Sequence, residues 1–235
     1  MDFVGYLLRN DCSGGQVSQS TRAWTDADQA LLYTCHLASD RLAGRAMRPA
    51  PVHTPFPPQF AAQEQYLAAA DFALSIFDAP GDGTYQHNSS FFFATGRAGL
   101  AMTAGLAATR AVGNSRRKKQ AVQNAIPRWL PRYSGIITVS DHGVYLRTPQ
   151  DFIPWNWALL QSCEVIGFNQ VIVAVPTADG RLAHWLLQSP FAELTFVLWA
   201  TARYPAHPQL ADNSWLPQNW AAWARDQGRP PALEA

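Results

Sequence analysis

Three consecutive residues of this 235-residue chain, Ser140, Asp141 and His142, supply the side-chain types of a nucleophile, an orienting acid and a general base. A working triad needs those groups to converge from separate elements, with base touching nucleophile and acid touching base. Set side by side and followed by Gly143, they read as a tight turn between two strands. The six histidines, His36, His53, His87, His142, His184 and His207, fall singly, without metal-ligand spacing. Cys12, Cys35 and Cys163 make no C-x-x-C pair, which leaves three reduced thiols as the expectation. No G-x-S-x-G, H-E-x-x-H or phosphate-loop pattern occurs. The expectation is a binding protein with no catalytic residue, no metal site and no cofactor. A pocket uniting His184 or His142 with a carboxylate from another strand would reverse it.

Charge gives the strongest direction. Net charge is +1, yet Gly83 to Ser140 contains no Asp or Glu and carries Arg97, Arg110, Arg116, Arg117, Lys118, Lys119, Arg128 and Arg132. The rest of the chain holds 10 basic against 17 acidic residues. Such asymmetry points to an anionic partner or an internal acidic counterpart. The candidate binding residues are Arg110, Arg116, Arg117, Lys118, Lys119, Arg128 and Arg132, facing a protein partner or an anionic lipid surface. Each Lys or Arg near an anionic leaflet is worth about 1 kcal/mol. Nucleic acid binding through Arg110–Arg132 is the alternative, weakened by the lack of a recognition-helix signature and of aromatic interleaving. The bland account is a solvated helix end whose charge complements the helix dipole.

The elements that must carry these residues fall into three parts. Residues 1–58 are a polar arm, a helix starting at Thr25 and a linker with five prolines between Pro49 and Pro58. Asp26 and Asp28 suit the helix's first turn, and Leu31, Leu32, Cys35 and Leu42 its apolar face. Residues 59–204 hold a β-rich domain with an inserted Gly/Ala-rich and basic helical segment over 91–126. The stretch from Tyr66 to Phe77 mixes helix formers with the strand-like alternation Phe72, Leu74, Ile76, and a strand is favoured. Phe91 to Gly113 is 23 residues, long enough to span a bilayer, but Arg97 and Arg110 leave only 12 residues between them. An arginine at mid-membrane costs about 2.5–3.5 kcal/mol, so a helix packed on the sheet is expected. The N-terminus has an acid where a signal peptide wants a base, so the location expected is cytoplasmic, with peripheral attachment at the inner membrane face as the variant.

Gly135 to Tyr204 is the clearest architecture. Strands are expected at Gly135–Ser140, Val144–Thr148, Phe152–Trp155, Gln161–Ile166, Gln170–Val175 and Leu182–Leu187. Gly143 suits a positive φ, Pro154 marks an edge strand, and Asp179-Gly180 a turn. A helix follows, with Ser189 as N-cap, Pro190 in its first turn, and Leu194, Val197, Leu198 and Thr201 inward. In the tail over 205–235, Trp215, Trp220 and Trp223 either dock onto the body or form a protein contact.

The fold class read from this order is α+β: an antiparallel β meander or partly open barrel, closed by an amphipathic helix, with added N-terminal helices. Gly135-Ile136-Ile137-Thr138-Val139 with Val144-Tyr145-Leu146, Ile153-Pro154-Trp155, Gln170–Val175, Asp179-Gly180 and the last helix resemble the pleckstrin-homology-like superfold, especially small bacterial PH and GRAM domains. That resemblance implies a scaffold for binding, not a specific ligand. Gly83 to Trp220 is also similar to a group of uncharacterised actinobacterial proteins, which brings no activity with it.

Overall fold

The computed structural model describes residues 22–79 and 125–233. The segments expected as helices at 91–113 and 114–124 lie outside them, as do Cys12 and the basic residues Arg110 and Arg116 to Lys119.

Helix α1 spans Asp26–Leu42 and begins as the local sequence dictates. The Thr25 hydroxyl accepts from the Asp28 amide while the Asp28 carboxylate accepts from the Thr25 amide at 3.0 Å, satisfying two donors that a helix start leaves orphaned. Leu31, Leu32 and Cys35 are buried as expected, together with Leu37 and Ala38. Leu42 corrects the expected apolar face. It is 50% exposed, because it falls in the exposed run 41–46 where the helix ends.

The strands form one seven-stranded antiparallel sheet in the order β4-β3-β2-β1-β7-β6-β5. They are β1 Tyr66–Asp78, β2 Arg128–Ser140, β3 Gly143–Arg147, β4 Phe152–Asn156, β5 Ser162–Gly167, β6 Gln170–Pro176 and β7 Leu182–Gln188. The ambiguous stretch is thus a strand, and a central one. β1 pairs with β2 along its length and with β7 over Ala73–Ile76, burying Phe72 and Leu74. Pairing with β2 overrides the helix propensity of its Ala-rich start, Ala68–Ala70.

β2 is longer than expected. It begins at Arg128, and the register slips between Leu74 and Ser75, whose partners are Tyr133 and Pro131. Arg132 is the residue passed over, a bulge beside Pro131 that lets a proline sit inside a paired strand.

Two glycines are fixed by close approach. A Cβ at Gly135 would lie 2.0 Å from the Arg147 carbonyl oxygen, and one at Gly143 would lie 2.4 Å from that of Trp155. Gly143 does not take the positive φ expected of it. Neighbouring backbone, not turn geometry, requires it.

The sheet curls until opposite strands meet: the rings of Trp155 on β4 and Trp185 on β7 are 6.2 Å apart. Helix α2, Ala192–Arg203, packs against β3, β5, β6 and α1 and closes this partly open barrel. It begins later than expected. Phe191 is its N-cap with no side-chain cap bond, and the Ser189 hydroxyl accepts instead from the Phe191 amide at 3.3 Å. The Ser189 amide is engaged by the Asn169 carbonyl at 3.0 Å, which holds Ser189 to the β5–β6 turn. Residues Ala192 to Ala200 are all buried, so the helix has no solvent face there.

Both free edges of the sheet are blunted. The Thr148 amide bonds the Asp151 carbonyl and the Trp157 amide that of His142, so Phe152, Pro154 and Asn156 turn their backbone groups outward from β4. Pro154 offers no donor at the centre of that edge, which bears out its reading as an edge residue. On β5, the side-chain amide of Gln209 donates to the Val165 carbonyl at 2.7 Å and accepts from its amide at 3.0 Å, as an added strand would. Gln209 belongs to short helix α3, Pro208–Ala211; α4 is Trp220–Asp226. No helix of the described residues is long and apolar enough to cross a membrane.

Candidate functional site

The Ser140–His142 turn joins β2 to β3 and uses its side chains on itself. The Ser140 hydroxyl donates to the Gly143 carbonyl at 3.1 Å and accepts from the amides of His142 and Gly143. His142 pairs through Nδ1 with Asp141 at 2.8 Å, and Asp141 also accepts from the Gln65 amide at 2.9 Å. This is a self-bonded turn with no base directed at the serine. His184 lies on β7 opposite Ala174. Among the described residues no group of three or more His, Cys, Asp or Glu could hold a metal.

Two of the seven basic candidates, Arg128 and Arg132, are described, and both are exposed on the first half of β2. Arg128 is opposite Asp78, at the strand end where the chain leaves β1 and returns to β2. Ile126, two residues earlier, is 57% exposed, and half-buried Trp129 meets Phe77 edge-on with ring centres 5.2 Å apart. The described structure therefore brings two cations and exposed apolar surface to one end of the sheet.

Trp215, Trp220 and Trp223, candidates for a protein contact, are instead buried, at 1%, 3% and 6% exposure. Trp24 stacks on Trp223 with ring centres 5.2 Å apart, and the Trp220 indole donates to Asp28 at 2.9 Å. Asp28 also pairs with Arg22. Burial works against its charge, but the bonds from Thr25 and Trp220 and the nearby guanidinium hold its carboxyl below the ordinary value. The tail is docked on α1 by this cluster, so these indoles belong to the core.

Glu64 plays a similar role on the other side. Its carboxylate accepts from the Tyr145 hydroxyl at 2.7 and 2.9 Å and from the amides of Gln59 and Phe60 at 3.1 and 3.0 Å. Burial, and then the bond to Glu64, push the Tyr145 hydroxyl well above its usual range. Phe60 stacks on Tyr145 with ring centres 4.5 Å apart, so the proline-rich stretch is fastened to β3.

Sequence reasoning missed a third buried carboxylate, Glu193. It stands in the first turn of α2, where an acid suits the helix dipole, but it is fully buried, with one oxygen accepting from the Asn169 amide at 2.6 Å and the other without a partner. Burial pushes its carboxyl up to about 7. Asn169, in the β5–β6 turn, sits at φ 62° and lines a shallow, open cleft of about 500 Å³ between that turn and β1. Gly-Phe-Asn signals the turn; nothing local signals the cleft. Cys35 and Cys163 are free and buried, and burial pushes Cys35 up to about 12 and raises Cys163 further. Neither is a ready nucleophile.

No protein-family model matches the chain, and no curated protein does either.

Proposed function

We propose that the chain is a non-enzymatic binding module on a PH-like scaffold, and that it engages an anionic membrane surface through the basic stretch leading into β2. The scaffold reading is supported by the sheet order, the curl that brings Trp155 to Trp185, and the helix closing the barrel. The binding reading rests on one observation: Arg128, Arg132 and exposed Ile126 share the sheet end into which the acid-free stretch runs. Lysines and arginines near an anionic leaflet contribute about 1 kcal/mol each, and the attraction falls off within a Debye length. Ile126 and Trp129 add apolar surface of the kind that sits at a headgroup boundary.

Co-sedimentation with phosphatidylserine-containing vesicles over a salt series tests this. Binding at low salt that weakens with added salt and with Arg128→Gln plus Arg132→Gln supports it. No binding to anionic vesicles at low salt overturns it. Salt-dependent retention of duplex or single-stranded nucleic acid without vesicle binding would move the assignment to nucleic acid.

A further inference from the structure

A third edge lies inside the sheet. β1 pairs with β2 along its length, but β7 meets it only over Ala73–Ile76 and then leaves through Ser189 toward α2. Before Ala73, β1 therefore has a strand on one side alone.

Bonds at the borders of the sheet assign the backbone on that open side. Residues opposite one another in an antiparallel pair alternate between exchanging both backbone bonds and exchanging neither. Gln209 holds the outward amide and carbonyl of Val165, so Glu164 faces Ile172, and Leu186, opposite Ile172, faces β1. Gln188, two residues on, faces the same way, because the Ser189 amide is engaged by the Asn169 carbonyl at 3.0 Å. Its partner is Ala73. Asp71 and Ala69, two and four residues back along β1, turn amide and carbonyl to that same side. The Leu67 carbonyl, two further, accepts from the Tyr33 hydroxyl at 2.8 Å. No described residue bonds the backbone of Ala69 or Asp71 there. Both residues are exposed, so the bare stretch is a template for another chain.

The shallow, open cleft of about 500 Å³ adjoins this stretch at Asp71 and Ala73, with Phe168, Gln188 and Pro190 on its other wall. Asp71 is its only charged residue. The far wall is fixed, since Ser189 is tied to Asn169 and the Asn169 amide to Glu193 at 2.6 Å.

We propose that this bare half of β1 takes up an extended segment of a partner protein as an added antiparallel strand, with a lysine or arginine beside Asp71. Main-chain bonds to Ala69 and Asp71 supply the attachment, and alternate side chains the selectivity. The added strand extends the line of β7, with one end in the cleft against Gln188. On its outer face the small Ala69 leaves room for a long basic side chain reaching Asp71. Arg128 pairs with Asp78 at the opposite end of β1, so failure here leaves the membrane reading untouched.

The test is an amide-resolved NMR titration of the full chain with the blocked peptide acetyl-Thr-Val-Lys-Val-Thr-amide. One matched probe carries Glu in place of Lys, and a second is N-methylated at every residue, which blocks strand pairing. Saturable shifts at Ala69, Asp71 and Gln188, with slowed hydrogen exchange at the Ala69 and Asp71 amides, are expected with the lysine peptide alone. Asp71→Asn, a surface change, should weaken that binding about two- to fivefold, the range of one exposed ion pair. Ala69→Pro removes an open-side donor without taking a bond from β2, and should weaken it further, the dispersed spectrum reporting that the variant is folded. Absence of saturable shifts overturns the proposal, as do shifts confined to β4 or β5. Equal binding by the N-methylated peptide or the Glu peptide overturns it too, and so does an Asp71→Asn variant that binds like the parent.

Discussion

Glu64 and Glu193 are the same residue type drawn into the same body, at 8% and 0% exposure, and the fold treats them differently. Glu64 meets donors from three residues, two of them backbone amides of the segment it holds down. Glu193 meets one amide and keeps an oxygen unpaired. Burial removes hydration from both, so the hydrogen-bond inventory decides what each becomes. With its acceptors filled, Glu64 pins the chain. With one empty beside a cleft, Glu193 has a carboxyl pushed up to about 7 and a neighbour, Asn169, that is equally unfilled. Perturbed, under-satisfied groups beside clefts are where binding sites concentrate.

The largest expected effect breaks the satisfied member. Glu64→Ala strands the Tyr145 hydroxyl and the Phe60 amide and leaves the Gln59 amide with the Tyr145 oxygen as its one acceptor. Each buried donor left without its acceptor costs about 1–3 kcal/mol. Urea denaturation should show that loss, and limited proteolysis should show faster cleavage within Pro49 to Phe60. Unchanged stability would mean that the proline-rich stretch is held by its aromatic contacts alone.

The unsatisfied member predicts a pH dependence of defined sign. The folded Glu193 carboxyl sits at about 7, against 4.5 for the free side chain. The folded protein therefore keeps a proton that the unfolded chain releases. That contribution is fully present below pH 4.5 and lost as pH rises through 7. A shift of this size corresponds to roughly 3 kcal/mol. Cys35, the titratable neighbour on α1, stays neutral throughout because burial holds its thiol near 12. Stability measured across this window should fall with rising pH, and Glu193→Gln should flatten the slope. An equal slope in the variant would assign the titration to another group.

Tyr145→Phe sharpens the comparison at smaller scale. It deletes one donor to Glu64 and one acceptor for the Gln59 amide, which lies 2.9 Å from the hydroxyl, yet keeps the ring that Phe60 stacks on. A loss of about 1–2 kcal/mol is expected by chemical denaturation, well short of Glu64→Ala, because the carboxylate retains its two backbone donors.

How much of this was legible depended on sequence distance. The Thr25 cap, the turns at Asp141 and Gly180, the edge role of Pro154 and the β-branched run of β6 are written within a few residues, and they read correctly. The strand character of Tyr66–Asp78 depends on β2 and β7, some sixty and a hundred residues away, so local composition left it open. The start of α2 misled because Ser189 and Pro190 carry a good local helix signal, while the Ser189 amide is engaged by Asn169 twenty positions back. The cleft was illegible for the same reason. Asp71, Asn169 and Glu193 come from three elements, and none carries a motif. The Trp-rich tail was legible as aromatic anchors, but only packing against Trp24 and Asp28 shows that it faces inward.

Gln209 separates satisfaction from burial, the two variables that differ between Glu64 and Glu193. Its side-chain amide is fully used against Val165, but the residue is only half-buried. Exposed groups can trade a protein partner for water, so Gln209→Ala should cost only about 1 kcal/mol in denaturation. Its greater consequence is on the edge. Removing the amide uncovers the Val165 backbone, a template for pairing with another chain. Concentration-dependent self-association by light scattering is expected in Gln209→Ala and not in Gln209→Glu, whose carboxylate still accepts from the Val165 amide and repels a second copy. If Gln209→Ala remains as monodisperse as the parent, the short length of β5 suffices to protect that edge, and the side chain is a stabilising bond and nothing more.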